Sequence, residues 1–419
     1  MWRAMSTRVA CAGHEGCIGR NKRLNLVDAD TTLSRPCSCF GGKVSRLSIA
    51  FWRGSKGKWI GATLMALLLG TWALWSTLAS APLRDHPVGL MNRQYADPER
   101  RSWETDEARP LKALVWYPAA AGTLEKNWTV AIFQAGRNAQ GAALSASPAK
   151  LPLVVLSHGT GGSAIALSWL AEYLAQNGFI VAAVNHHGNT AAEASPRLEG
   201  TLVWWDRAQD VKVLIDRLLA DPRIGSRIDT QRIGVAGFSI GGYTALATVG
   251  VRLSRAQFDS FCAVEKNCQP PPEISARYTK AEAWRLIHED GRLKRELERM
   301  EDSYEDKRIR AAFVMAPAVD FAMTPQSFAA VRVPVHMVVG SDDDQAVSVA
   351  NAQQMARQMT GAQLEVLPKG THYMFLAPCN TLGKLTAKEI CVDAPGTDRV
   401  AVHGKVAADA LAFFRQSFQ

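Results

Sequence analysis

Arg232-Ile-Gly-Val-Ala-Gly-Phe-Ser-Ile-Gly-Gly242 is the stretch on which the reading of this chain turns. Ile233 to Ala236 is a short apolar run suited to a buried strand, and Gly242 to Val249 has the composition of a helix that follows it. Between them, Gly237-Phe-Ser-Ile-Gly241 matches G-x-S-x-G, a strand–sharp turn–helix signature that lifts a serine hydroxyl above a sheet. A serine driven through such a turn needs neighbours without Cβ atoms, so that strand and helix can approach closely. Ser239 is therefore the candidate nucleophile.

Outward from this stretch, apolar strand runs alternate with helical spacing. Leu111 to Tyr117, Leu151 to Leu156, Phe179 to Val184, Arg310 to Met315, Val333 to Val339 and Gln363 to Leu367 read as strands. Ala164 to Gln176, Trp204 to Leu219, Ser348 to Met359 and Val402 to Phe418 read as helices. Continuous apolar strands separated by helices predict a mostly parallel sheet flanked by helices, an α/β fold. Leu124 to Pro148 reads as a weakly patterned connection. An insertion, 251–307, follows the helix after Ser239. Its second half, Lys280 to Lys307, reads as one charge-rich amphipathic helix, either a solvated face or a lid over the serine.

Charge and cysteine usage divide the chain in two. The formal charge is +9, yet residues 1–58 hold 11 Lys and Arg against Glu15, Asp28 and Asp30. The body is thus nearly neutral and presents no nucleic-acid footprint. Residues 1–58 read as a disordered basic tail. Residues 59–81 are uncharged and long enough to span a bilayer, with a basic flank on their N-terminal side. They read as a signal peptide or a signal-anchor, and either exports residues 82–419 to the periplasm or outside the cell. In an exported body, Cys262 with Cys268 and Cys379 with Cys391 are expected to form two disulfides. The tail cysteines lack zinc spacing, and no metal site is expected.

A serine hydroxyl needs a base, and the base needs an orienting acid. His372, in Pro368-Lys-Gly-Thr-His372, lies in a loop after the last strand. The carboxylates near strand ends are Asp320 and the run Asp342, Asp343 and Asp344. Ser157-His-Gly-Thr-Gly-Gly162 is a glycine-rich strand–helix loop, and Asn185-His-His-Gly-Asn189 ends the next strand. His186 and His187 there either line the pocket or bond loop backbone.

Taken in order, Trp116-Tyr-Pro118, Ser157-His-Gly-Thr-Gly161, Gly237-Phe-Ser-Ile-Gly241, Gly340-Ser-Asp-Asp343 and Gly370-Thr-His372 resemble the predicted dienelactone hydrolase branch of the α/β-hydrolases, related to platelet-activating-factor acetylhydrolase. The resemblance spans about residues 85–419. It implies an α/β-hydrolase fold and cofactor-free hydrolysis of short-acyl carboxylic esters, small molecules attacked by Ser239. His372 would be the base and Asp343 the acid, with Asp320 as the alternative. The amides of Thr160 and Ile240 would form the oxyanion hole. Authentic dienelactone hydrolases carry a cysteine where this chain has Ser239, so the dienelactone label does not define the substrate. A serine peptidase of the same fold and a non-catalytic, membrane-anchored binding protein are the rival readings.

Overall fold

The computed structural model describes residues 84–147, 149–194, 196–270, 275 and 278–419. Contacts divide the chain into Met1–Leu74 and Trp75–Gln419, and every described residue belongs to the second unit. The expectations for the tail 1–58 and the apolar segment 59–81 lie outside the described residues. Among those described, no helix is long and apolar enough to cross a membrane.

Ten strands form one sheet: β1 (Val88–Arg101), β2 (Ala108–Pro118), β3 (Lys126–Val130), β4 (Phe133–Gln140), β5 (Leu151–Ser157), β6 (Ile180–Asn185), β7 (Ile228–Phe238), β8 (Ile309–Met315), β9 (Val335–Gly340) and β10 (Gln363–Leu367). Their spatial order is β10-β9-β8-β7-β5-β6-β2-β1-β4-β3. From β10 to β6 every neighbouring pair is parallel, whereas β2 runs antiparallel to both β6 and β1. The main helices are α1 (Ser168–Gln176), α2 (Arg207–Leu219), α3 (Ile240–Thr248), α4 (Arg255–Cys262), α5 (Lys280–Glu289), α6 (Gly291–Glu298), α7 (Val349–Gln358) and α8 (Arg399–Ser417).

Side chains of a strand alternate between faces, and here both faces are covered. Leu153 and Val155 of β5 join one core with Leu214, Leu218 and Leu246 of α2 and α3. Val154 and Leu156 join the other with Leu170, Leu174 and Phe414 of α1 and α8. The parallel register aligns Ser157 with both Val184 and Gly237, Phe238 with Met315, and Gly340 with Leu367. The C-terminal ends of β5 to β10 therefore open onto one edge, where ligands of such sheets bind.

Three strands exceed the sequence expectation. β1 lies in a stretch for which no element is predicted, and β3 and β4 lie in the stretch Leu124 to Pro148 that reads as a connection. β1 pairs antiparallel with β2 and β3 with β4, while β1 meets β4 in parallel; these strands are partly exposed, so polar residues dilute the apolar signal. The insertion also departs from a single helix. Asp290 is extended (φ −69°, ψ 127°), and its carboxylate accepts from the amides of Arg292 and Leu293, ending α5 and capping α6.

Both expected disulfides are present, Cys262–Cys268 and Cys379–Cys391. Each closes a short loop, of 6 and 12 residues in sequence separation.

Candidate active site

β7 delivers Ser239 at its end, and the turn there is strained. Ser239 has φ 58° and ψ −124°, a region that non-glycine residues enter at a cost of about 1–3 kcal/mol. The surroundings over-determine it. Its amide donates to the Met315 carbonyl, and its carbonyl accepts from the amides of Gly242, Tyr243 and Ala318. The flanking glycines are steric necessities. A Cβ on Gly237 would lie 2.0 Å from the Gly241 oxygen, and one on Gly241 would lie 2.0 Å from the Ser157 oxygen. Strand, turn and helix touch backbone to backbone.

The loops after β9 and β10 are joined in the same way. The Asp342 amide donates to the Gly370 oxygen at 2.9 Å, and the Lys369 amide donates to Ser341 Oγ at 2.8 Å. A Cβ on Gly340 would meet the Gly370 oxygen at 2.1 Å. This seam carries Asp343 and His372 side by side. His372 Nδ1 lies 2.8 Å from Asp343 Oδ2, and His372 Nε2 lies 3.0 Å from Ser239 Oγ. The second Asp343 oxygen, Oδ1, accepts from the amides of Gln345 and Ala346. Burial alone would raise the Asp343 carboxyl. The His372 hydrogen bond and charge, with those two amides, outweigh it and hold the carboxyl below its ordinary value.

Of the competing carboxylates, Asp320 accepts from Asn351 Nδ2 at 2.6 Å and makes no bond to His372. Asp342 accepts from the Ser341 hydroxyl, and Asp344 is exposed. The turn bearing His372 is fixed from behind: Trp169 Nε1 donates to the Phe375 carbonyl at 2.9 Å and His403 Nε2 to the Met374 carbonyl at 2.8 Å. Their rings stack at 4.1 Å.

Thr160 and Ile240 line the same cavity as Ser239 and His372. The Ile240 amide is the first N–H of α3 and has no acceptor within the helix. The loop carrying Thr160 is shaped by residues the sequence reading passed over. Asn189 Oδ1 accepts from the Gly161 amide at 2.6 Å, and Asn185 Oδ1 from the Ala164 amide at 2.8 Å. In Asn185-His-His-Gly-Asn189 the histidines drew notice, yet the asparagines hold this loop.

The two histidines belong instead to a buried polar network. His186 Nε2 lies 2.9 Å from Ser157 Oγ and His186 Nδ1 lies 2.9 Å from Asp210 Oδ2. His187 Nδ1 lies 2.7 Å from Glu193, while its Nε2 accepts from the Trp103 amide and approaches Ser102 Oγ. Each is a serine–histidine–carboxylate string. Ser157, His186 and Asp210 are all fully buried, and none of them lines the cavity. Asp210 is also gripped by Arg100 and Arg109. Opening onto the cavity, rather than connectivity, separates these strings from the one at Ser239.

Buried imidazoles impose an acid limit on the fold. Burial, then the Arg207 charge, pushes His186 down to about 3 against the hydrogen bond that its ring donates to Asp210. Burial pushes His403 down to about 4. In the unfolded chain these rings take up protons near 6.5, so between those values the unfolded state binds more protons. Stability is therefore lost as pH falls below about 6.5, by roughly 3 kcal/mol at pH 4 for His403 alone. Urea midpoints should fall steadily from pH 7 to pH 4.5, and less steeply in His403→Gln; a flat profile would refute this.

The cavity beside Ser239 has a volume of about 580 Å³. Its walls include Trp204, Ile240, Phe321, and Phe258 and Trp284 from the insertion. Among the described residues, no group of three His, Cys, Asp or Glu side chains is arranged to hold a metal ion.

The profile of the Alpha/beta hydrolase family matches residues 154–383. The chain belongs to the alpha/beta hydrolase family. No match was found among curated proteins. Among solved structures, the chain is similar to a ferulic acid esterase from Streptomyces cinnamoneus, with 22% identity, TM-score 0.54, and 81% of this chain and 92% of the other covered. A dienelactone hydrolase from Anabaena variabilis shows 15% identity and TM-score 0.38 over 78% of this chain and 98% of its own. A puromycin-hydrolyzing peptidase from Mycobacterium tuberculosis shows 14% identity and TM-score 0.44 over 78% of this chain and 39% of its own. At 22% identity the likeness to the ferulic acid esterase structure speaks for the fold alone, with no bearing on substrate.

Proposed function

We propose that this alpha/beta hydrolase is an exported, serine-dependent carboxylic ester hydrolase. The observation that carries the reading is the chain Ser239 Oγ, His372 Nε2 at 3.0 Å, and His372 Nδ1 at 2.8 Å from Asp343, beside a cavity large enough for a substrate. Ser239 Oγ attacks the ester carbonyl carbon while its proton passes to His372 Nε2. The carbonyl oxygen gains the negative charge, and the Thr160 and Ile240 amides bind it. Collapse of this intermediate breaks the bond to the alcohol oxygen, which leaves with the proton from His372. Water then attacks the acyl-serine, giving up its proton to His372, and the carboxylic acid departs as Ser239 recovers its own. Asp343 keeps Nδ1 protonated, so that Nε2 is free to accept. The two disulfides support an oxidising compartment.

A fluorophosphonate probe followed by peptide mapping tests the assignment. Labelling is expected at Ser239 alone, although Ser157 and Ser102 also lie beside histidines. An unlabelled folded chain would favour the non-catalytic binding protein, and an adduct at Ser157 would move the nucleophile. Faster cleavage of amides than of matched esters would favour the peptidase.

A further inference from the structure

The insertion supplies part of the wall of the cavity beside Ser239, and that wall is notable for its aromatic side chains as well as for the volume it encloses. Trp204, Phe258, Trp284 and Phe321 all line it, together with Leu202 and Ile287. Trp204 stands edge-on to Tyr243 of α3, with ring centroids 5.0 Å apart and planes at 86°. Tyr243 is four residues beyond Ser239 on the helix that the nucleophile starts. Phe258 and Trp284 lie near-parallel, at 17°, with centroids 6.4 Å apart. Phe321 is stacked from outside by Phe261 at 4.1 Å. Aromatic rings favour other rings in offset-stacked or edge-to-face contact, beyond what buried area alone supplies. At about 580 Å³ the cavity is in the range that encloses a multi-ring or drug-sized group.

The walls are also held in place before any ligand arrives. The Cys262–Cys268 disulfide lies in the cavity lining. Lys280 Nζ donates to the carbonyls of Val264 and Glu265, so the one charged side chain of the lining among the described residues is tied back to backbone. Thr279 and Glu282 cap α5 reciprocally. Arg292 of α6 stacks over Trp103 at 3.8 Å and donates to the carbonyls of Arg101 and Ser102, joining the insertion to the sheet's first hairpin. A wall fixed in this way loses little entropy when a flat, rigid group is inserted.

We propose that this cavity takes a flat aromatic group, so that the substrates of Ser239 are esters in which one half, acyl or alcohol, bears an aryl ring. The inference rests on the ester-hydrolase reading for its chemistry and on the cavity for its selectivity. It narrows the short-acyl expectation, since an ester whose acyl and alcohol halves are both small would leave most of the aromatic wall uncovered.

The test uses the full chain and two substrate pairs, with methyl octanoate as an alkyl control. Methyl 3-phenylpropanoate against methyl propanoate reads the acyl side, and phenethyl acetate against ethyl acetate reads the alcohol side. In one pair the aryl member should have a kcat/KM on the order of 100-fold above its small counterpart and above methyl octanoate. The pair that responds identifies the side. Trp284→Ala should cut that ratio by roughly tenfold or more, and Trp284→Phe should keep most of it. Equal kcat/KM within both pairs, or methyl octanoate matching the aryl esters, would overturn the proposal while leaving ester hydrolysis intact. Calorimetric binding of methyl 3-phenylpropanoate to Ser239→Ala is read in parallel. If the chain hydrolyses nothing yet binds this ester through Trp284, the cavity inference stands and the hydrolase reading falls. Neither hydrolysis nor binding would remove both.

Discussion

Ser239→Ala is expected to lower kcat for ester hydrolysis by roughly 10⁵- to 10⁶-fold, with the folded state retained. The loss is large because the hydroxyl both forms the new bond and supplies the proton that His372 carries. Little stability should be lost. The alanine keeps the strained φ of 58°, and the residue's amide and carbonyl bonds remain. The informative control is Ser157→Ala. Ser157 Oγ lies 2.9 Å from His186 Nε2 in a string that copies the connectivity of Ser239, His372 and Asp343. It is fully buried, so its removal should leave activity per folded molecule within about threefold. Stability should drop by about 1–3 kcal/mol because the buried His186 nitrogen loses its partner. Steady-state kinetics with urea titration separates the two variants. Equal activity in Ser239→Ala and the parent chain would refute the assignment of the nucleophile.

Asp343→Asn is expected to cost about 10⁴-fold in kcat with little change in KM. The reason lies in the hydrogen bonds around the carboxylate. Oδ1 accepts from two amides, those of Gln345 and Ala346, whereas Oδ2 faces His372 Nδ1. An asparagine must keep its oxygen toward the two amides, which points its NH₂ at Nδ1. Nδ1 then becomes the acceptor and Nε2 carries the proton, so the ring no longer accepts from Ser239. Asp320→Asn should stay within about threefold of the parent, because Asp320 contacts Asn351 and leaves His372 alone. A large loss confined to Asp320→Asn would transfer the role of the acid.

Much of the molecule can be read from local order along the chain. Ile233 to Ala236 reads as a buried strand because both sheet faces are covered, and Gly237 and Gly241 read as a tight turn because no Cβ fits there. The disulfides are legible for the same reason, as each joins cysteines a short loop apart. β1, β3 and β4 are less legible, since half-exposed antiparallel strands mix polar with apolar residues. The break at Asp290 hides inside helical spacing that continues on both sides of it.

Ser239, His372 and the run of carboxylates after β9 are thus visible as candidates from residue type and position alone, together with the class of fold that holds them. Which carboxylate stands behind His372 is not written along the chain. Asp342, Asp343 and Asp344 are adjacent, and Asp320 follows a strand end as well; the choice comes from the seam between two loops far apart in sequence. Nor does the chain announce that Ser157, His186 and Asp210 form a second string, because burial depends on what α2 and the strands pack against it. The aromatic cavity has the same origin. Trp204, Phe258, Trp284 and Phe321 come from four separate segments, and only their packing around Ser239 turns ordinary apolar residues into one wall. Contacts within a few residues are governed by backbone geometry and can be read in order. Contacts between distant segments depend on the whole set of packed surfaces, and those decide access, acid and pocket.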